Sequence, residues 1–315
     1  DSKDKFFFIW SIDTHVPYNP PKEFNKFLDP SYEGKITGKE NDLKRIHGDK
    51  DKKRIIDLYD CEIYYNDFQI GVLIEELKNK KLYDDSLIVI TGDHGESFRF
   101  EEANVGHGHI PFDDLIKIPL IIKFPKSLYR GREVTEIVQH IDIMPTILSF
   151  LGIDYKNLDC IQGQNIIDLL EKKIPINKYT YSETRQSRLK NTYFSVRSDY
   201  MKYILKKNDN GIVSVINELK LDTVKKIIRN PIYFLRRRYS GNSEMLFDLK
   251  SDISEKVNLF EKKVKNNELK RILDIYLENN KKAEKKLERI NEDVLVEKIN
   301  MDKYIKNQLK KLGYF

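Results

Sequence analysis

The sequence predicts an α/β fold: a mainly parallel sheet in the amino-terminal half, a smaller antiparallel sheet after it, and helices at the end. Three stretches carry that reading. Residues 87–91 form a short, continuous, β-branched apolar run, the pattern of a strand buried on both faces of a parallel sheet. Residues 193–207 alternate Tyr, Val and Ile with charged or polar positions, the two-residue period of half-buried antiparallel strands. From residue 259 to 315, Lys, Glu, Asn and Leu recur at helical spacing, as in Leu269, Ile272, Leu273, Tyr276 and Leu277.

Taken in order, residues 6–10 read as a first strand, followed by a loop whose Pro17, Pro20 and Pro21 continue neither strand nor helix. That stiff loop holds His15 and Tyr18. Residues 29–57 are polar and charged, with Gly34, Gly38 and Gly48, and read as a mobile excursion or lid. From Asp57 the pattern turns helical, with Leu58, Cys61, Tyr65, Phe68, Val72 and Leu77 on one face. Helix followed by strand is half of a βαβ unit, for which a right-handed crossover is expected. The strand at 87–91 stops at Gly92, and Asp93, His94, Gly95 and Glu96 follow. In open α/β sheets the ligand site lies beyond the carboxyl ends of the strands, so an oxygen ligand and an imidazole stand side by side where chemistry is expected.

The loop at 97–110 returns through Gly106, His107, Gly108 and His109, where glycines let an imidazole approach an oxyanion closely. Residues 112–117 read as a short turn or helix and 119–124 as the next buried strand. Residues 136–153 read as strand, turn and helix, with Asp142 as cap, Pro145 in the first turn and Gly152 closing it. His140 reads as structural. The stretch at 208–242 mixes basic and apolar residues around Pro231; it reads as an insertion packed on its domain or, through 224–240, as a contact with an anionic membrane surface. Asp293 starts a second terminal helix through Val294, Val296, Ile299 and Tyr304. Such a helical pair would pack on the body or on another copy of the chain, a homo-oligomer.

Composition bounds the partners. With 315 residues, 40% of them hydrophobic and 34% charged, the chain has room for one large or two ordinary globular domains. A net charge of +6, from 56 basic and 50 acidic side chains, is no nucleic-acid signature and mildly favours anionic substrates. No apolar run approaches the ~18–20 residues that span a bilayer. No signal peptide is visible in a chain that begins at Asp1, so localisation is not read from this end. Cys61 and Cys160 are far apart and outside any C-x-x-C setting, which leaves Cys61 as a small buried hydrophobe and excludes a disulfide framework.

Four of the six histidines, His15, His94, His107 and His109, fall at strand ends or in the loops beside them. Asp and His after a strand also serve as turn and cap residues; convergence favours chemistry. These pieces resemble the sulfatases of the alkaline-phosphatase superfamily, with their phosphonate monoester hydrolase and phosphodiesterase relatives. The resemblance runs through FFFIWSIDTHVPYNPP at 6–21, YDCEIYYNDFQIGVLIEELKNKKLYDDSLIVITGDHGE at 59–96, GHGHIPFDDLIKIPLIIKFP at 106–125, HIDIMPTILSFLGI at 140–153 and EMLFDLKSDISEKVNL at 244–259. It implies an alkaline-phosphatase-like sheet sandwiched by helices at 1–154, a small-sheet subdomain at 155–262 with a basic insertion at 208–242, and a helical extension at 263–315.

The resemblance also implies roles. Asp93 and His94 would hold one divalent ion, Ca, Mn, Mg or Zn, and His15 would protonate the leaving group. His107, in preference to His109, would bind a substrate oxygen, with Tyr18 and Lys117 lining the substrate site. The substrate would be an anionic small-molecule or glycan ester of sulfate or phosphate. The family's acidic metal pair and its C/S-x-P-S/A-R nucleophile motif do not occur in this sequence, so little turnover is expected of the chain as written. The alternatives are a non-catalytic anion- or partner-binding protein and a phosphoethanolamine or phosphoglycerol transferase.

Overall fold

A 32-residue helix, α1 (Gly48–Asn79), runs through the amino-terminal part of the computed structural model, which describes residues 5–101, 104–155, 161–186, 191–208, 244–260 and 268–293. Asp49 and Asp51 in its first turn and Lys78 in its last complement the helix dipole. Ile55, Leu58 and Cys61 are buried and share one face. Farther along the predicted stripe the burial ends: Phe68 is 51% exposed and Val72 46%. Burial also pushes the Cys61 thiol above its ordinary range, consistent with a packing role.

The buried half of α1 packs on a core of Tyr18, Ile36, Ile55 and Leu58, lined by Val16, Leu28, Tyr59 and Phe98. Residues 29–57 are therefore not a lid. The charges there serve local structure: the Asp42 carboxylate accepts hydrogen bonds from the Thr37 and Lys39 amides, and Tyr32 donates to Asp51. Gly38 enters this core at φ +90°, and a Cβ there would lie 2.0 Å from the Tyr18 carbonyl oxygen, so the close pairing of the two segments needs glycine.

Residues 6–10 are not a strand. They have no regular structure, and Phe6 and Phe8 are 80% and 81% exposed. A strand exists as part of a ladder, and no neighbour among the described residues pairs with this one. The run at 87–91 does form a strand, β1 (Ile88–Thr91), but it pairs antiparallel with β4 (Leu120–Lys123), Ile90 opposite Ile121. It is half-buried, and every pairing among the described residues is antiparallel. An Ile/Val run reports an appetite for burial; it does not encode the direction of its neighbour. For the same reason the expected βαβ unit is not seen among the described residues.

Between β1 and β4 lie a short hairpin, β2 (Ser97–Arg99) with β3 (Asn104–Gly106), and the single-turn helix α2 (Asp113–Ile116). Then come α3 (Ile143–Phe150) and α4 (Ile166–Lys172); residues 136–139 form no strand. The buried Asp142 ties this part together by accepting from the Gln139 and Gln164 amides and from Asn177.

The carboxyl-terminal sheet has four antiparallel strands in sequence order: β5 (Thr180–Gln186), β6 (Asn191–Arg197), β7 (Met201–Asn208) and β8 (Glu244–Asp248). The alternation at 193–207 is thus a hairpin, Val196 opposite Tyr203, while β5 carries no comparable alternation and goes unread in the sequence. Tyr193, Ile204, Met245 and Phe247 from this sheet bury Ile110 and Phe112, the residues that lead into α2.

The chain divides into two units, Asp1–Lys265 and Asn266–Phe315, the second carrying α5 (Glu268–Asp293) with Leu269 and Leu273 buried. The basic stretch at 224–240, Cys160 and the second terminal helix from Asp293 lie largely or wholly outside the described residues. No described helix is long and apolar enough to cross a membrane.

Candidate active site

The end of β1 is held from two sides. Thr91 donates through Oγ1 to the Pro119 carbonyl at 2.9 Å, and His140 donates through Nε2 to the Gly92 carbonyl at 2.8 Å. His140 therefore has the structural role its position predicts. Immediately beyond, Asp93 Oδ1 accepts the His94 amide at 2.9 Å, which leaves Oδ2 3.8 Å from His94 Nε2. His94 Nδ1 donates to the Gly95 carbonyl at 2.8 Å, so the proton sits on Nδ1 and the lone pair on Nε2.

Three imidazoles meet here. The ring of His107 lies 4.6 Å from that of His94 and 4.9 Å from that of His15, centre to centre. His15 comes from the proline-stiffened loop, whose Nδ1 proton goes to the Val16 carbonyl at 2.6 Å. Its Nε2 is buried and has no hydrogen-bond partner. His107 follows β3 and points Nδ1 at Glu96 Oε2, 3.4 Å away. That hydrogen bond raises the His107 pKa above the ordinary imidazole value, against a burial effect of opposite sign.

Glu96 is the residue that reading the motif for metal ligands passes over. Its side chain is nearly buried, and the buried Tyr18 hydroxyl lies beside it, the two outside good hydrogen-bond geometry yet close enough for Glu96 to act on the phenol. Burial and then the Glu96 charge drive the Tyr18 phenol far above its usual range, and the same two causes push Tyr59 up to about 12. The spacing D-H-G-E held the signal: two residues after His94, a carboxylate returns to the same side of an extended loop. Other predicted residues lie apart. His109 turns Nε2 back to the Val105 carbonyl at 3.2 Å, and Lys117 is exposed at the end of α2.

Next to this pocket, α2 is gripped by a second set of charges. Lys202 and Glu255, both side chains fully buried, pair at 2.8 Å, and Lys202 also meets Asp113 at 2.9 Å. Arg197 reaches Asp113 at 3.1 Å, and Arg99 reaches Asp114 at 2.9 Å and Glu255 at 3.3 Å. Burial works to raise the Asp113 pKa, but Lys202 and Arg197 outweigh it and hold the carboxyl below its usual range. Burial lifts Glu255 above its own, despite Lys202.

The residues suit part of a divalent-metal site. Asp93 Oδ2 and His94 Nε2 present a hard oxygen and an imidazole lone pair on one side of the loop, and the Gly95 carbonyl fixes the ring in the manner of an outer-shell partner. Among the described residues no group of three or more His, Cys, Asp or Glu is placed to hold an ion, so this pair would fill at most two positions of a coordination sphere.

Comparison with known proteins completes the assignment. The fold resembles that of the phosphonate monoester hydrolase from Silicibacter pomeroyi, with a TM-score of 0.57 at 19% identity over 85% of this chain and 54% of that one. Residues 1–153 match the sulfatase family model, and residues 108–222 match that of the N-sulphoglucosamine sulphohydrolase C-terminal region. Residues 1–153, just under half of the chain, are thus sulfatase-like. The chain is 28% identical over 193 residues to an ulvan-active sulfatase of Formosa agariphila, covering 58% of this chain and 35% of that protein. It is 24% identical over 277 residues to an arylsulfatase of Clostridium perfringens, covering 78% and 57% respectively. The chain thus spans between about a third and three-fifths of these curated relatives.

Proposed function

We propose that this chain carries the metal-binding and leaving-group side of a sulfatase-type active site, acting on an anionic ester of sulfate or phosphate. The observation that supports this most is the meeting of three imidazoles at one pocket with the His15 Nε2 buried and unpaired. Asp93 and His94 would hold a divalent cation, which when bound polarises a sulfuryl or phosphoryl oxygen. His107, its proton held by Glu96, donates to or charges the environment of an oxygen that gains negative charge. With Nδ1 committed to the Val16 carbonyl, His15 would deliver a proton from Nε2 to the leaving oxygen as its bond breaks. The buried Tyr18 and its neighbours keep water from the inner wall. An imidazole ligand favours manganese or zinc over calcium and magnesium, and inclines the site toward phosphate esters.

The test is calorimetric titration of the chain with Mn²⁺, Zn²⁺ and Ca²⁺, alone and in Asp93→Asn and His94→Ala. Saturable binding by the parent chain that both variants lose is the expected outcome. Equal affinity in Asp93→Asn would remove that residue from the site, and no binding by the parent would remove the metal reading altogether.

A further inference from the structure

We infer that Lys202 and Glu255 are positioning residues, which, through the first turn of α2, seat the Asp93–Glu96 loop against the His107 segment. The geometry runs without a gap. Lys202 Nζ lies 2.9 Å from Asp113 Oδ1 and 2.8 Å from Glu255 Oε1, and Glu255 Oε2 accepts the Asp113 backbone amide at 2.6 Å. The start of α2 is thereby fixed both by its side chain and by its backbone. The next residue, Asp114, accepts from Ser97 Oγ and Arg99 Nε, each at 2.9 Å, and Arg99 returns to the Ser254 carbonyl at 2.6 Å. One residue further, the Leu115 carbonyl accepts the Gly95 amide at 2.8 Å.

Residues 95 and 97 are thus fastened to α2 on either side of Glu96, the carboxylate that meets His107. The approach is so close that a Cβ on Gly95 would lie 2.1 Å from the Asp114 carbonyl oxygen. The segment bearing His107 enters α2 from the other end through Ile110 and Phe112, which are buried on the same carboxyl-terminal sheet. Glu96 and His107 flank the Ser97–Gly106 pair that closes the β2–β3 ladder, and both loops are in addition registered against one four-residue helix, which takes its position from Lys202 and Glu255. A buried ion pair stabilises no better than apolar residues of equal volume; what it adds is direction. Six charged groups, Arg99, Asp113, Asp114, Arg197, Lys202 and Glu255, interlock in one arrangement, which a patch of leucines would not impose.

This inference rests on the reading that residues 93–96 and His107 form a ligand site, and the experiment separates the two. Hydrogen–deuterium exchange is followed in the full chain without ligand, in Asp113→Asn, in the charge-neutral pair Lys202→Met with Glu255→Gln, and in Thr146→Val as a buried control on α3. Mn²⁺ affinity is measured on the same proteins. Exchange across residues 93–97 and 104–110 should quicken ~10-fold or more in the first two variants. Mn²⁺ affinity should weaken by ~10-fold, the scale of losing groups that orient a ligand. Thr146→Val should move neither beyond what its global stability loss predicts. Unchanged exchange at 93–97 in folded Asp113→Asn overturns the inference, as does an equal change in the control. If the double variant does not fold, Asp113→Asn decides. If the parent binds no Mn²⁺, the metal reading fails while exchange still decides the clasp.

Discussion

The histidine pocket and the charged clasp lie side by side and treat buried polarity in opposite ways. In the clasp every charge faces an opposite one, though Asp114 Oδ1 is buried without a hydrogen bond: Lys202 meets two carboxylates, Asp113 meets two cations, and Arg99 meets two carboxylates. In the pocket, His15 Nε2 is buried without a partner, and Tyr18 Oη and Glu96 Oε1 have at most each other. A buried polar group left unmatched costs stability, so its retention marks a place where something other than stability is served. The contrast assigns the work: the clasp spends its charges on geometry, and the pocket keeps its own available.

That contrast predicts unequal costs for mutations in the two places. The largest effect is expected for Lys202→Met, which leaves Asp113 with Arg197 alone and Glu255 with Arg99 alone and should cost ~3 kcal/mol in urea unfolding. Next is Gly95→Ala, where the new methyl meets the Asp114 carbonyl and forces backbone movement; ~1–3 kcal/mol is expected, with loss of metal binding. Tyr18→Phe removes a buried hydroxyl whose contact with Glu96 lies outside good hydrogen-bond geometry, and should change stability by less than ~1 kcal/mol. A destabilisation as large as that of Lys202→Met would show the hydroxyl to be matched and would erase the distinction. Asp93→Asn, on an exposed part of the loop, should shift stability by less than ~0.5 kcal/mol while abolishing metal binding.

The clasp also sets an acid response. Asp113 is held below its unfolded value of ~3.9, so its contribution is complete above that pH and is lost as pH falls through the lower folded value. Glu255 is shifted the other way: it penalises the fold above its raised value, and acidification toward ~4.3 relieves that penalty. Stability followed from pH 7 downward should therefore rise slightly and then drop, and Asp113→Asn should shrink the drop, to which Asp42, also held low, contributes. A monotonic fall in the parent chain would show that Glu255 is not lifted.

Much of the pocket was legible because its histidines follow apolar runs or sit between glycines, and both patterns survive folding. His15, His94 and His107 meet as their positions in the sequence suggest. The clasp was hidden for a physical reason. Lys202 stands between Met201 and Tyr203 in a strand whose alternation marks charged positions as solvent-facing, yet its side chain is fully buried because charges 89 residues upstream and 53 downstream face it. No local pattern reports a partner that distant. The same limit explains residues 6–10, where strand propensity was read correctly as preference and wrongly as structure, and residues 29–57, where charges that cap turns resembled charges in solvent.

Residues 6–10 have a practical consequence. Phe6, Phe7, Phe8, Ile9 and Trp10 lie in the open, their backbone outside any ladder among the described residues. Such a stretch is sticky toward any exposed sheet edge, including those of neighbouring molecules in a concentrated sample. Preparations of this chain should scatter more light as concentration rises, and lysines in place of Phe6 and Phe8 should keep them clear.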